Sequence, residues 1–485
     1  MKNVILCAAA LVFGTVAFAQ VGGAPTANTP VTNMSANPNA NIGESVQTGN
    51  ENKVRVRQAG SRNSVYTNQD DGSGTGGNLG IIMQTGDVGP LSGFANAAEL
   101  RQSGSVNEST MVQAGNRNNA ITLQGQGGAP GDDASSGNKA RIQQGSGLAE
   151  FNFAAIEQNG ATNQATTVQG FDNNDAYTIQ DGDRNGSMIV QNGGPDDTAG
   201  HNALNEQYGN DNQSAIDQRG AGARNNARTI QVGNSNQAKQ IQNTIASNGA
   251  QGEKGLINQG DDATFQNVAQ TLDNQNLYTE LSAISNINFG GNGGTSTGSV
   301  AYQTQNGKMS AAEIHQFDDG ISGGNYAEQL QDGWNQDALI TQNAAGNATG
   351  NNYARQEQHN DNNEAAIGQV GINNKAYQFQ DGKRNLALSA QAGNGNLVNT
   401  HQFGNDNVAH TEQRTVGNRA LIVQRGGQSY SSSQIGRRNQ VDALQLGPNG
   451  NFDTDGVICD FDMEIPYDMD FDVPDLTIDN ICPDC

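Results

Sequence analysis

Polar and small apolar residues alternate along this chain with a period of two. From Asn174 to Gln180, one side of an extended chain would carry Asn174, Ala176, Thr178 and Gln180, and the other Asp175, Tyr177 and Ile179. Side chains alternate in this way only in a β-strand. Seven residues at about 3.3 Å each predict a strand of roughly 20 Å. A slower period of eleven is laid over the first, with Gln102, Gln113 and Gln124 evenly spaced, Gly104 and Gly115 two residues after a Gln, and Asn107 and Asn118 five after.

The rule reads Gln-x-Gly-x-x-Asn-x-(Ala/Ser/Val)-x-x-x-Gln. It recurs through Gln58, Asn63 and Gln69, through Gln158, Asn163, Gln169, Asn174 and Gln180, and through Gln369, Asn374, Gln380, Asn385, Gln391, Asn396 and Gln402 to Gln424. It degrades between about residues 243 and 304. The four residues between Gln and Asn suit a tight turn, with Gly supplying positive φ. Strand, turn, strand and turn close one flattened 22-residue coil, and coils stack about 4.8 Å apart. Each Gln or Asn then lies over its equivalent and can join a ladder of amide hydrogen bonds. The expected fold is all-β: a two-sided flattened β-solenoid, amyloid-like in its cross-β stacking. Over residues 51–447 this period gives roughly eighteen coils and a rod of order 90 Å.

Composition agrees with a thin core. The 485 residues are 34% hydrophobic and include 63 Gly, too few aliphatics for a thick interior. Sheets faced with Ala, Ser, Thr, Asn and Gln can approach closely, and Ile189, Ile340 and Ile422 would form an aliphatic seam. Insertions from Gly86 to Asn96, Gln124 to Asn138 and Gln191 to His201 fall at turns, where a solenoid tolerates them. Disorder, the usual reading of such a composition, does not account for fixed spacing over hundreds of residues. A right-handed coiled coil also has an 11-residue period, but a Gly and an Asn in each unit oppose a helix.

A formal charge of −24 repels phosphate backbones and argues against nucleic-acid binding. Lys2, the apolar run Val4 to Phe18 and the small-x-small site Ala17-Phe18-Ala19 predict a signal peptide over 1–19 and an exported chain starting at Gln20. No later apolar run is long enough for a transmembrane helix. Residues 20–50 read as a Gly-, Asn- and Pro-rich leader or linker, and 448–485 as an acidic tail or cap. From Asn451 onward the tail holds 10 Asp, 1 Glu and no Lys or Arg. Asp460, Asp462 and Glu464 alternate there with Phe461, Met463 and Ile465. A strand capping one solenoid end, a solvated tail and a cation site are all compatible with this pattern. Cys459, Cys482 and Cys485 are too few for a structural zinc site without a nearby His, and a disulfide with one odd thiol is expected. Asp132-Asp133, Asp261-Asp262 and Asp318-Asp319 read either as gatekeeping side charges or as ordinary turn residues. No catalytic motif, metal site or cofactor site is present in the pattern, so no enzyme is expected.

The repeat Gln-x-Gly-x-x-Asn-x-Ala-x-x-x-Gln resembles the curlin repeat of secreted bacterial amyloid subunits, and the likeness spans most of residues 51–447. It implies that the Gln and Asn named above, from Gln102, Asn107, Gln113, Asn118 and Gln124 through Gln369 to Gln402, template polymerisation. It also implies that Val21 to Asn41 resembles a leader read by an outer-membrane secretion channel, with a flexible linker as the alternative. The chain is several times longer than the usual subunit, and it adds turn insertions and the acidic tail. The expected function is a secreted structural subunit that self-assembles into curli-like fibres at the bacterial outer surface for adhesion and biofilm matrix. Its expected partners are copies of itself, a nucleator subunit and a secretion channel. The alternative is a monomeric solenoid that binds a surface, a glycan or ice.

Overall fold

A computed structural model describes residues 40–447 except 72–75, 86–95, 126–135, 146–148, 194–199, 221–222, 245–249, 261–274, 286, 288, 290–295, 319–322 and 344–349. The segment read as a signal peptide, most of the one read as a leader, the acidic tail with its three cysteines, the tips of the insertions, Asp132-Asp133, Asp261-Asp262 and Asp319 therefore lie outside the described residues. Successive strands pass alternately into two parallel sheets, of 16 and 15 strands. The chain is a two-sided β-solenoid, as the alternation and the 11-residue period require.

The repeat sets the register. Gln180 lies opposite Gln158 on one side and Gln207 on the other, and Ala176 opposite Ala154 and Ala203. Extra residues do not disturb this, since Gln69 still meets Gln102 and Gln259 still meets Gln316. Because insertions consume chain without adding rungs, the rod is shorter than a strict 22-residue period predicts, roughly 70 Å at about 4.8 Å per rung. The stack also starts earlier than residue 51. Ile42–Thr48, inside the segment read as leader, pairs in register with Ser64–Asp70, with Gln47 opposite Gln69.

Between the sheets, small and large side chains share a thin interior. Ala98, Ala120, Ala154 and Ala165 pack with Ile82, Leu100, Met111, Ile142 and Ile156. Ile189, Ile340 and Ile422 are fully buried, as the seam requires. In the turns, glycine serves two purposes. Gly393 has φ +120, and a Cβ there would stand 1.9 Å from the Thr415 carbonyl of the next coil. Positive φ and stacking contact together exclude a side chain.

In the degraded zone the ladder continues, but the chain leaves it and returns. Helix α1, Gln275–Ser285, and Phe289 lie on the outer face of one sheet, with Leu277, Leu281 and Phe289 packing on Leu339, Ala366, Leu388 and Ala390. A Cβ at Gly368 would come within 2.5 Å of the Phe289 ring, so a strand glycine makes room for the insertion. The chain re-enters at Ser296–Thr297, which pairs with Gly233–Asn234. Asp318, read from the sequence as a charge along the rod side, is instead buried. Its Oδ2 accepts from Ser296 Oγ (3.0 Å), Thr297 N (2.8 Å) and Ser299 Oγ (3.0 Å). It clamps the turn where the coil resumes, so it is not a gatekeeper. No helix among the described residues is long and apolar enough to cross a membrane.

Candidate functional site: amide ladders that end on open edges

Each ladder Gln closes a strand with its side chain inward. In Gln369, Nε2 donates to Gln391 Oε1 at 2.8 Å and to the Tyr353 carbonyl of the facing sheet at 2.9 Å. Gln380 repeats this with Gln402 Oε1 (2.9 Å) and the Glu364 carbonyl (3.0 Å), and Gln391 with Gln413 Oε1 and the Lys375 carbonyl, both at 3.0 Å. Because the second proton is spent on a carbonyl, the amide cannot be reversed without setting oxygen against oxygen. Every link therefore runs the same way, from lower to higher residue number.

One ladder climbs without interruption from Gln47 through Gln69, Gln102, Gln124, Gln158 and Gln180 to Gln434. The other climbs from Gln58 through Gln84, Gln113, Gln144 and Gln169 to Gln445. Donor–acceptor distances span 2.6–3.0 Å. In a dry interior such aligned amides polarise one another, and burial is tolerated because both protons and the oxygen are used.

The Asn rungs run the opposite way. Asn374 N donates to Asn352 Oδ1 at 3.0 Å, while Asn374 Nδ2 holds the Gly393 carbonyl at 3.0 Å, tying the turn to the next coil. Asn385 repeats this with Asn363 Oδ1 and Gly404 O, and Asn396 with Asn374 Oδ1 and Thr415 O. Asn63, Asn107, Asn118, Asn163 and Asn174 occupy equivalent rungs. All the sequence-predicted ladder residues thus lie on these lines and are buried, apart from Gln58 near the end of the stack, which is partly exposed.

Several rungs were missed because they are not Asn. His201, Glu253, Ser299, Ser310 and Gln336 stand where Asn is expected, each six residues before a ladder Gln, and counting back from Gln would have found them. Asn225 N donates to His201 Nδ1 at 3.3 Å, and Ser310 N to Glu253 Oε2 at 3.1 Å. Burial pushes the Glu253 carboxyl up to about 8, against smaller lowering effects from its Ser310 hydrogen bonds. Its Oε1 meets no partner among the described residues. A third, short ladder through Gln303, Gln329, Gln356 and Gln378 also escaped the period, since it sits in mid-strand where other coils carry Ile or Thr.

The ladders end on edges. Within the described residues no strand pairs beyond Ile42–Thr48 and Lys53–Ala59 at one end, or beyond Ser429–Arg437 and Gln440–Leu446 at the other. One end therefore presents the first Gln oxygens, of Gln47 and Gln58. The other presents the last Gln amides, of Gln434 and Gln445. Elsewhere on the outer surface, Asp332, His359, Asp361, Phe379 and Asp381 line a groove of about 580 Å³. Phe379 lies 5.5 Å from the His359 ring and 5.6 Å from Phe403.

These features define a parallel β-solenoid whose interior is held by directional amide ladders. No family model matches the chain, and no curated protein matches it.

Proposed function

We propose that the chain is a secreted structural subunit that joins end to end with copies of itself into curli-like extracellular fibres, serving adhesion and biofilm matrix. The observation that carries this reading is the direction of the Gln ladders. One end offers acceptors, the other offers donors, and both lie on parallel edge strands whose outer backbone groups are unpaired among the described residues and can template another strand. A second molecule placed in line would add one more rung to each sheet at the spacing already used inside the subunit. A nucleator subunit and an outer-membrane channel fit the same reading.

The test follows purified mature chain by thioflavin fluorescence and electron microscopy, with preformed fragments as seeds. Fibres should form in the wild type. A triple variant Gln369→Ala, Gln380→Ala, Gln391→Ala should lose most seeded growth. Rods that stay single in seeded wild-type solution would overturn the reading. The groove at Phe379 supports the alternative of a monomeric solenoid that binds a glycan, because an aromatic floor with a polar rim suits a sugar ring. Retention on a polysaccharide column that Phe379→Ala abolishes, without any fibres, would favour it.

A further inference from the structure

The two ends of the rod differ in charge as well as in ladder polarity. Residues 40–71 carry Lys53, Arg55, Arg57 and Arg62 against Glu44, Glu51, Asp70 and Asp71, and are balanced. Residues 408–447 carry Arg414, Arg419, Arg425, Arg437 and Arg438 against only Glu412 and Asp442. Arg414 pairs with Glu412 at 2.6 Å. Arg419, Arg425, Arg437 and Arg438 are exposed and pair with no carboxylate among the described residues. This is a net positive end on a chain of formal charge −24. The same end exposes apolar surface: Ile435 is 67% and Val416 43% exposed on the outside, and Tyr430 and Val441, which face the interior, are only partly buried.

The segment that follows Gly447 has the complementary chemistry. Acidic and apolar residues alternate in Asp460-Phe461-Asp462-Met463-Glu464 and again in Asp468-Met469-Asp470-Phe471-Asp472, with no Lys or Arg from 451 to 485. In extended form one face would carry carboxylates and the other large apolar groups. The molecule's own end coil is the nearest surface, because the segment follows directly on Gln440–Leu446, the last strand of the stack.

We infer that residues 451–485 dock as an extended segment on the C-terminal coil of their own molecule, across the open edge of Gln440–Leu446, with carboxylates toward Arg419, Arg425, Arg437 and Arg438 and apolar groups over the partly buried Val441 and Tyr430. The end at which Gln434 and Gln445 have no further Gln to donate to is then covered until the tail is displaced. The docking itself does not depend on fibre formation, but its consequence, restrained growth from that end, rests on the assembly reading.

Hydrogen exchange on dilute full-length mature chain tests this. Amides of Gln440–Leu446 should exchange slowly in the wild type. They should exchange at least tenfold faster in a tail variant with Asp460, Asp462, Asp468, Asp470 and Asp472 changed to Asn, which leaves the solenoid sequence untouched. The charge reversal Arg425→Glu, Arg437→Glu should do the same, and 0.5 M salt should speed exchange in the wild type, because such pairs are screened. The Lys53–Ala59 edge should not respond. Equal rates in wild type and tail variant would overturn the docking, and so would protection that rises with protein concentration, since that places the tail on a second copy. The tail variant should also shorten the lag of seeded assembly. Faster exchange with no assembly in any chain would count against the fibre reading alone.

Discussion

A glutamine amide has two protons and one oxygen that takes a bond, and the ladder uses all of them in one geometry. Residues that depart from the pattern are therefore informative. Glu253 has the shape of a rung but not its proton count. Its carboxyl stays protonated in the folded chain up to about pH 8, against 4.5 for an ordinary Glu. Between those values the folded state holds a proton that the unfolded state has released, so stability falls as pH rises through the window, by up to about 1.4 kcal/mol per unit. Above the window the loss is complete. Glu253→Gln should flatten this slope, and denaturant melts at pH 5 and pH 8 will show whether the gap between variant and wild type widens with pH as expected. A second exception is Val106, which precedes a ladder Asn in the left-handed region at φ 57 and is 52% exposed. A β-branched residue is strained there. Val106→Gly should therefore raise stability by roughly 1 kcal/mol, read as a higher denaturant midpoint with unchanged slope.

At the scale of elements, strands and turns follow from the repeat, and helix α1 does not. The insertion survives because it brings its own apolar face, Leu277, Leu281 and Phe289, and because the solenoid offers a matching patch in which Gly368 leaves space. Arg414 also donates to the Ser285 carbonyl at the end of the helix. Gly368→Val should push Phe289 off the sheet at a cost of about 1–3 kcal/mol. Amides of Gln275–Ser285 should then exchange faster, while those of Gln369 to Gln391 keep their protection. Loss of protection in both would mean that the helix is part of the stack's own stability and not an accessory on its surface.

For the whole molecule, repetition replaces thickness. Each coil is bonded mainly to its neighbours, so stability grows with the number of rungs and the two ends are the weak points. If subunits join end to end, the fibre should diffract with a meridional spacing of about 4.8 Å and a sheet spacing of about 10 Å. It should contain one subunit per roughly 70 Å of length, measurable as mass per length by scanning transmission microscopy. Two or more subunits per 70 Å would mean lateral pairing and would contradict a single line of rungs. Helix α1 covers one sheet's outer face only around Leu339, Ala366 and Leu388, and the groove at Phe379 lies on the other sheet.

Much of this was written in the spacing of Gln58, Asn63, Gln69 and their successors, because a parallel in-register stack repeats one local environment, and a repeated environment selects a repeated residue. Strand length, the two faces, the turns and the ladder rungs are local or periodic and could be read from the chain. The rest depends on contacts between segments far apart in sequence. Asp318 looked like a surface charge until Ser296 and Ser299, about one coil away in sequence, were brought onto it. Glu253 and His201 broke the motif but kept its position in space. The docking of helix α1 on Leu388 and Gly368, and the common direction of the Gln links, arise only when the sheets face each other, since the carbonyl that orients a ladder glutamine belongs to the opposite strand.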